Sequence, residues 1–287
     1  MQSTIKTKPE WLRKKITPSI NKELESIFSD TQINTVCQEA MCPNITECFS
    51  KKQATFLIMG TMCTRQCSFC AVNKGSPMLL EENEPKNIAD TVEKLGLNHV
   101  VITSPTRDDL KDGGANHFCK TVQSIKKLNN SITVELLIPD MKEDVDAIKS
   151  VALSGAEIIG HNLETVPRLY EIRKGANYKR SLRVLKQLQL LNPNISTKSG
   201  IMLGLGESDD EVQTLMRDLL NVGCRYLSIG QYLAPSPKYT EVVEYSKPER
   251  FERLKELGMG MGFRYIKSSP YTRSSYMAHE YLEGGLR

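Results

Sequence analysis

From residue 54 onward, short β-branched runs alternate with longer segments whose apolar positions recur at helical spacing. That alternation marks repeated βα units around a parallel sheet. The runs predict strands at Ala54–Met59, His99–Thr103, Ile132–Leu137, Glu157–Gly160, Ile195–Met202 and Arg225–Ile229. The segments between them predict helices at Asn87–Leu95, Ala115–Leu128, Lys142–Leu153, Lys179–Leu190 and Asp209–Leu220, with Pro248–Leu257 after the last strand. Six units fit an α/β fold, a partial (βα)6 TIM-like barrel, because a full eightfold barrel takes about 250 residues and only about 215 are available here. A doubly wound open sheet has the same local pattern and stands as the alternative. The first 50 residues differ: they carry few strand signals and set cysteines among Pro, Asn and Thr. The expected organisation is a loop-rich N-terminal extension over 1–53, the barrel over 54–268 and a short C-terminal tail over 269–287.

Composition narrows the class. Of 287 residues, 39% are hydrophobic, enough for a sizeable core, and 38 basic against 34 acidic groups give a net charge of only +4. That mild excess is spread along the chain, so no nucleic acid is expected, while an acidic protein partner would suit it. No apolar run approaches the roughly 18 to 20 residues of a membrane span. Lys6, Lys8 and Glu10 stand where a secretory signal would need an apolar stretch. The expectation is a soluble, cytoplasmic monomer with no membrane association. Six of the eight cysteines fall between Cys37 and Cys70, and with no secretory signal before them, metal or cluster binding is favoured over disulfides.

Those six form two triplets. Cys63-Thr-Arg-Gln-Cys67-Ser-Phe-Cys70 follows the first predicted strand, on a loop at the C-terminal mouth of the barrel, where such folds place their chemistry. Three thiolates so spaced can curl round one iron–sulfur cube, and because such a cube takes four ligands, one iron is left open. A structural zinc site is the competing reading, and buried inert thiols a weaker one. The second triplet, Cys37-x4-Cys42-x5-Cys48, repeats the logic at wider spacing. Taken alone it could serve zinc or a redox pair.

In that order and place, the two triplets resemble those of the lipoyl synthase family of the radical S-adenosylmethionine (SAM) superfamily. The resemblance extends over nearly the whole chain through Lys8-Pro-Glu-Trp-Leu-Arg, Arg107-Asp-Asp-Leu-Lys-Asp-Gly-Gly-Ala, His161-Asn-Leu-Glu-Thr, Thr197-Lys-Ser-Gly-Ile-Met-Leu-Gly-Leu-Gly-Glu207, Ile229-Gly-Gln-Tyr and Arg273-Ser-Ser-Tyr276. It implies two [4Fe-4S] clusters and SAM as cofactors. One cluster, on Cys63, Cys67 and Cys70, binds and splits SAM, with Phe69 near the adenine. The other, on Cys37, Cys42, Cys48 and a tail serine, Ser275 with Ser274 as the neighbouring alternative, gives up its sulfide. The activity implied is insertion of two sulfur atoms into an octanoyl group on a lysine of a carrier domain. For SAM itself the resemblance suggests Gly113 and Gly114 at the methionine end, Asn162 and Glu164 at the ribose hydroxyls, and Arg173 at the carboxylate. A tight turn, a helix cap and a surface charge are the plainer explanations of these residues. The implied partners are octanoylated lipoyl domains or the glycine cleavage H protein, an electron donor such as ferredoxin or flavodoxin, and an iron–sulfur carrier protein that rebuilds the second cluster.

Some positions depart from the family pattern. Pro105 and Thr106 replace a usual valine and aspartate, Gly160 a common asparagine, Tyr239 a histidine, and Tyr271 and Thr272 an aliphatic pair. None removes a cluster ligand, but these loops lie where a substrate domain would dock. A paralogue inserting sulfur into another acyl chain or small molecule, as biotin synthase does, is therefore the nearest alternative. An iron–sulfur carrier that cleaves no SAM is the alternative from another class. Cys119 and Cys224 read as core or half-buried thiols, His161 as a hydrogen-bonding residue, and Met259 and Met261 as packing.

Overall fold

The computed structural model describes residues 8–12, 33–39, 42, 44–50 and 55–281. Seven parallel strands lie side by side in chain order: β1 (Thr55–Leu57), β2 (His99–Thr103), β3 (Thr133–Leu137), β4 (Ile158–Gly160), β5 (Ser196–Leu203), β6 (Tyr226–Gln231) and β7 (Tyr265–Ser268). Six helices connect them: α1 (Glu84–Leu95), α2 (Ala115–Leu128), α3 (Val145–Ala152), α4 (Tyr178–Leu191), α5 (Asp209–Asn221) and α6 (Pro248–Met261). A doubly wound sheet reverses its strand order at a switch point. This one does not reverse, and among the described residues β1 and β7 are not paired with each other, so the sheet is a barrel left open at one seam. On the outer edge of β1, Asn34–Thr35 pairs antiparallel with Phe56 and Leu57. Ala54, Arg13, much of the 1–53 extension and residues 282–287 lie outside the described residues.

Alternation along each strand assigns the two faces. Val100 and Ile102, Val134 and Leu136, and Leu227 and Ile229 are buried in the same apolar cores as the helices. Those helices contribute Phe118, Val122, Ile148, Val184, Leu215 and Phe251. The intervening positions turn into the lumen, and beyond the apolar Leu57 and Val101 many are polar: Glu135 on β3 bonds Lys198 on β5, and Ser228 on β6 and Lys267 on β7 meet the C-terminal tail. A parallel sheet covered by helices on both faces carries near-continuous apolar strands. The polar lumen face shows instead an interior reserved for chemistry and for the chain's own tail. Two strand glycines admit that tail. A Cβ on Gly230 would stand 2.0 Å from the Thr272 carbonyl oxygen, and one on Gly200 would stand 2.6 Å from the Ser274 hydroxyl.

Three departures from the expected elements have local causes. The seventh strand, Tyr265–Ser268, escapes the hydrophobic pattern because only Ile266 supplies an apolar side chain to the core, while Ser268 on the same face bonds the Phe251 carbonyl of α6. Helix α6 runs on to Met261 instead of ending at Leu257. Gly258, which reads as a breaker, is a packing requirement, since a Cβ there would sit 2.2 Å from the Ile266 Cδ1 atom. Helix α3 starts at Val145 and not at Lys142, because residues 141–143 form a turn with positive φ and Asp144 caps the helix by accepting from the Ala147 N–H. Cys224 is buried and Cys119 is half-buried against the Ser150 carbonyl, as expected of free thiols. Among the described residues no helix is long and apolar enough to cross a membrane.

Candidate active site and cluster cavity

Just past β1, the loop carrying Cys63, Cys67 and Cys70 is tied down on three sides. Its ends pair as Met62–Cys63 with Asn73–Lys74. The Thr64 N–H and hydroxyl both donate to the Thr106 carbonyl, at 3.0 and 2.9 Å. The Ser68 N–H donates to the Ile172 carbonyl at 2.8 Å, and its hydroxyl pairs with that of Thr240. Between the first two cysteines, the buried Arg65 guanidinium forks onto Asp108 after β2, at 2.7 and 2.9 Å, and onto Asp140 after β3, which Arg180 also contacts. Burial alone would raise the Asp140 carboxyl, but these two cations hold it well below the usual carboxylate range. Two loops and the cysteine loop thus share one buried ionic knot.

The three thiols are half-buried, and Cys63 stands near enough to Cys67 and Cys70 to act on both. Burial pushes Cys70 up to about 11 and raises Cys67 as well, so both keep their protons at neutral pH until a metal displaces them.

Beside this loop a cleft opens over the C-terminal ends of β2, β3 and β4, lined by Arg65, Asp140, His161, Asn162, Glu164 and Arg173 among others. Three of the expected SAM-contacting residues, Asn162, Glu164 and Arg173, therefore stand together. The Asn162 amide donates to Glu164 at 3.0 Å. Glu164 is held at φ +65° by backbone bonds to Gly200 and Met202 on β5, a strained conformation of the kind stored at functional sites. Burial raises its carboxyl above the usual range, and the Arg173 guanidinium partly offsets this.

Arg173 is aimed by a one-way relay. It donates to the Tyr170 hydroxyl, Tyr170 pairs with Ser181 at 3.0 Å, Ser181 with the His161 Nε2 atom at 2.9 Å, and His161 Nδ1 donates to the Ile138 carbonyl at 2.8 Å. That carbonyl can only accept, so Nδ1 carries the proton, and a neutral imidazole leaves Nε2 to accept from Ser181. Burial first, and then the nearby Arg173 cation, lowers His161 to about 4.

Gly113 and Gly114 are not in this cleft. They form a positive-φ turn at the start of α2, where a Cβ would collide with Met141 and Met59 respectively. The turn packs closely against neighbouring loops, so both positions suit glycine, and neither is among the residues lining the cleft. Phe69 packs with Leu205, Tyr232 and Val242.

A second cavity lies beside β1 and β2. Cys37, Cys42 and Cys48 from the N-terminal extension line it together with Arg273, Ser275 and Tyr276 from the tail, and His99 from β2. The extension and the tail are knotted here by the Asn44 amide donating to the Tyr271 carbonyl at 2.6 Å and by the Tyr276 hydroxyl on Glu47 at 2.7 Å. Ser274 points elsewhere, bonding Asn162 and Ser228. Burial, and then the neighbouring Cys42, pushes Cys37 up to about 11. Among the described residues no three His, Cys, Asp or Glu side chains are placed to grip a single metal ion. The donor set here, three thiols and a hydroxyl bordering a space, suits a sulfur-bridged cluster better than a hard cation.

Sequence reasoning assigned no role to Arg65, Glu135 or Lys198. Glu135 and Lys198 had a visible signal, as charged residues inside strand patterns. Arg65 had only its position inside a cysteine loop, and its two partners lie 43 and 75 residues away.

Residues 57–219 match the Radical SAM superfamily. The chain is 55% identical over 276 residues to the lipoyl synthase of Geobacter sp. (strain M21), covering 96% of this chain and 95% of the relative. It is 51% identical over 272 residues to that of Caldanaerobacter subterraneus subsp. tengcongensis, covering 94% and 95%. Among solved structures, methylornithine synthase shares the fold with a TM-score of 0.57 at 16% identity, over 74% of this chain and 70% of the other. Streptococcus suis SuiB, solved with SAM bound, does so with a TM-score of 0.57 at 13% identity, over 71% and 46%.

Proposed function

The chain belongs to the lipoyl synthase family of the radical SAM superfamily, and we propose that Cys63, Cys67 and Cys70 hold its SAM-cleaving cluster while Cys37, Cys42, Cys48 and Ser275 hold its sulfur-donating one. The protein is an enzyme that inserts two sulfur atoms into the octanoyl group on a lysine of a lipoyl carrier domain, with two [4Fe-4S] clusters and SAM as cofactors. The observation that carries the residue assignment is the convergence of three N-terminal thiols and one tail hydroxyl on a single cavity, apart from the mouth loop.

When bound, the clusters and SAM supply the radical and the sulfide that side chains cannot. The chain's own residues supply position and protons. Each thiol gives up its proton as it takes its ligand role. The Arg65 knot fixes the mouth loop against the cleft. Asn162 and Glu164 offer an amide and a carboxylate to the ribose hydroxyls, and Arg173, oriented by its relay, offers a planar fork to the SAM carboxylate. Ser275 brings a hard oxygen to a sulfur-rich site, a ligand more readily displaced than a thiolate, which suits a cluster that must open.

On this reading the 1–53 extension and the 269–287 tail form one cluster-holding unit around the 54–268 barrel. The enzyme needs a lipoyl-domain substrate and a reductant. Finer assignments within the proposal are octanoylated lipoyl domains or the H protein as acceptor, ferredoxin or flavodoxin as donor, an iron–sulfur carrier for repair, and the cytoplasm as location.

A second reading, a paralogue with another acyl acceptor, has one observation in its favour: Tyr239, which replaces the family's usual histidine, stands between the exposed Lys74 and Lys238. One assay separates the readings. Anaerobically reconstituted protein is given SAM, a strong reductant and an octanoylated lipoyl-domain peptide, and the products are read by mass spectrometry. Dithiolated peptide with 5′-deoxyadenosine is expected, with thiolation lost and SAM cleavage kept in Cys37→Ala. Cleavage without thiolation in the wild type would favour the paralogue, and no cleavage with both clusters present would overturn the enzyme.

A further inference from the structure

Beyond β7 the tail turns back through the lumen, and its course is fixed at two ends. Near the mouth, the Ser269 N–H donates to the Ile229 carbonyl, Pro270 accepts from the Gln231 N–H, and Ser274 bonds Asn162. At the other end, near the first residues of β6 and β7, the Tyr281 ring is fully buried. Its face lies 3.7 Å from the Lys198 ammonium, and it meets Tyr265 and Tyr226 edge-on at 5.0 and 6.0 Å. Lys198 is itself buried and bonded to Glu135 at 2.7 Å. The carboxylate covers one side of the ammonium and the ring another, replacing water with a quadrupole that favours the cation. Next door, Glu280 accepts from Lys267 at 2.6 Å and from the Tyr265 hydroxyl at 2.9 Å.

We propose that Tyr281 is a positioning residue: seated on the Lys198–Glu135 pair, it anchors the tail so that Ser275 is presented to the three-cysteine cavity. This rests on the reading of Ser275 as the fourth ligand. A buried ion pair is a poor way to gain stability, since well-packed apolar residues of similar volume do as well or better. What the pair gives is a unique address. The Tyr281 ring fills the side of the ammonium that Glu135 leaves open, so a slip of one residue would both strip the ammonium of that ring and turn Ser275 away from the cavity.

The test compares Tyr281→Leu, which fills the space without a π face, with Tyr281→Phe, which keeps it. In cluster-free protein, amide exchange across residues 273–281 should quicken at least roughly tenfold in the leucine variant, one decade per 1.4 kcal/mol of lost anchoring. After anaerobic reconstitution that variant should hold about half the wild-type iron, near one four-iron cluster per chain, and still cleave SAM. The phenylalanine variant should match the wild type in both. Unchanged exchange in the leucine variant, or a phenylalanine variant as impaired as the leucine one, would overturn the anchor. Faster exchange with full iron would overturn its link to Ser275. A wild-type chain that never takes a second cluster would defeat the ligand reading itself, while the exchange comparison still decides the anchor. Should the leucine variant not fold, Tyr281→Met, also without a π face, serves in its place.

Discussion

At the residue scale the site depends on side chains that touch no cofactor. Arg65→Lys keeps a charge but loses the double fork onto Asp108 and Asp140, and supporting residues of this kind typically cost roughly 10–100-fold in metal affinity or activity. The expected outcome is a loss of that order in 5′-deoxyadenosine formation, with the fold intact by circular dichroism. His161 carries a pH dependence of known sign. Its folded value of about 4 lies below the unfolded imidazole value of 6.5, so between these limits the unfolded state binds the extra proton. Its contribution is complete above about pH 6.5 and is lost as pH falls through about 4. A urea-unfolding series over that range should show a fall in stability that is absent in His161→Gln. The cysteines were legible because their spacing is itself the chemistry. The roles of Arg65, Glu135 and Lys198 were not, because even a charge that stands out in a strand pattern has no meaning until its partner from another strand or loop is known.

At the element scale, legibility followed local signals. Helix α5 could be read from Ser208 and Glu211, which form a capping box at its start, followed by an amphipathic run. Helix α2 matched its prediction at both ends. Strand β7 and the last turn of α6 could not be read, because glycine and lumen-facing polar residues imitate a loop until the packing against Ile266 is seen. Gly230 is the clearest case of a strand residue chosen for its neighbour. Gly230→Ala must push the Thr272 backbone away from a 2.0 Å approach, and overpacking of this kind costs about 1–3 kcal/mol. A lowered melting temperature with faster amide exchange confined to the tail is expected, whereas an alanine tolerated with unchanged exchange would show that the tail does not thread past β6.

On the scale of the whole molecule, the barrel is inverted in its economy: the apolar core lies outside the sheet, under the helices, and the lumen holds charge. Removing one partner there should be severe. Glu135→Gln leaves the Lys198 ammonium buried without its counterion, a change worth about 3–5 kcal/mol, while replacing both by apolar residues should cost far less. Thermal unfolding of the single and double variants measures the difference. The α/β class and the open, partial barrel could be read from the βα alternation and the chain length, but the tail inside it could not, since no periodic pattern records which segment fills a hollow. That filling has a consequence for biogenesis. Residues 273–281 leave the ribosome after every strand they touch, and domains form progressively during synthesis. Ser275 follows Cys48 by 227 residues, so the cavity that the N-terminal thiols share with that hydroxyl cannot close until every barrel strand between them has been made.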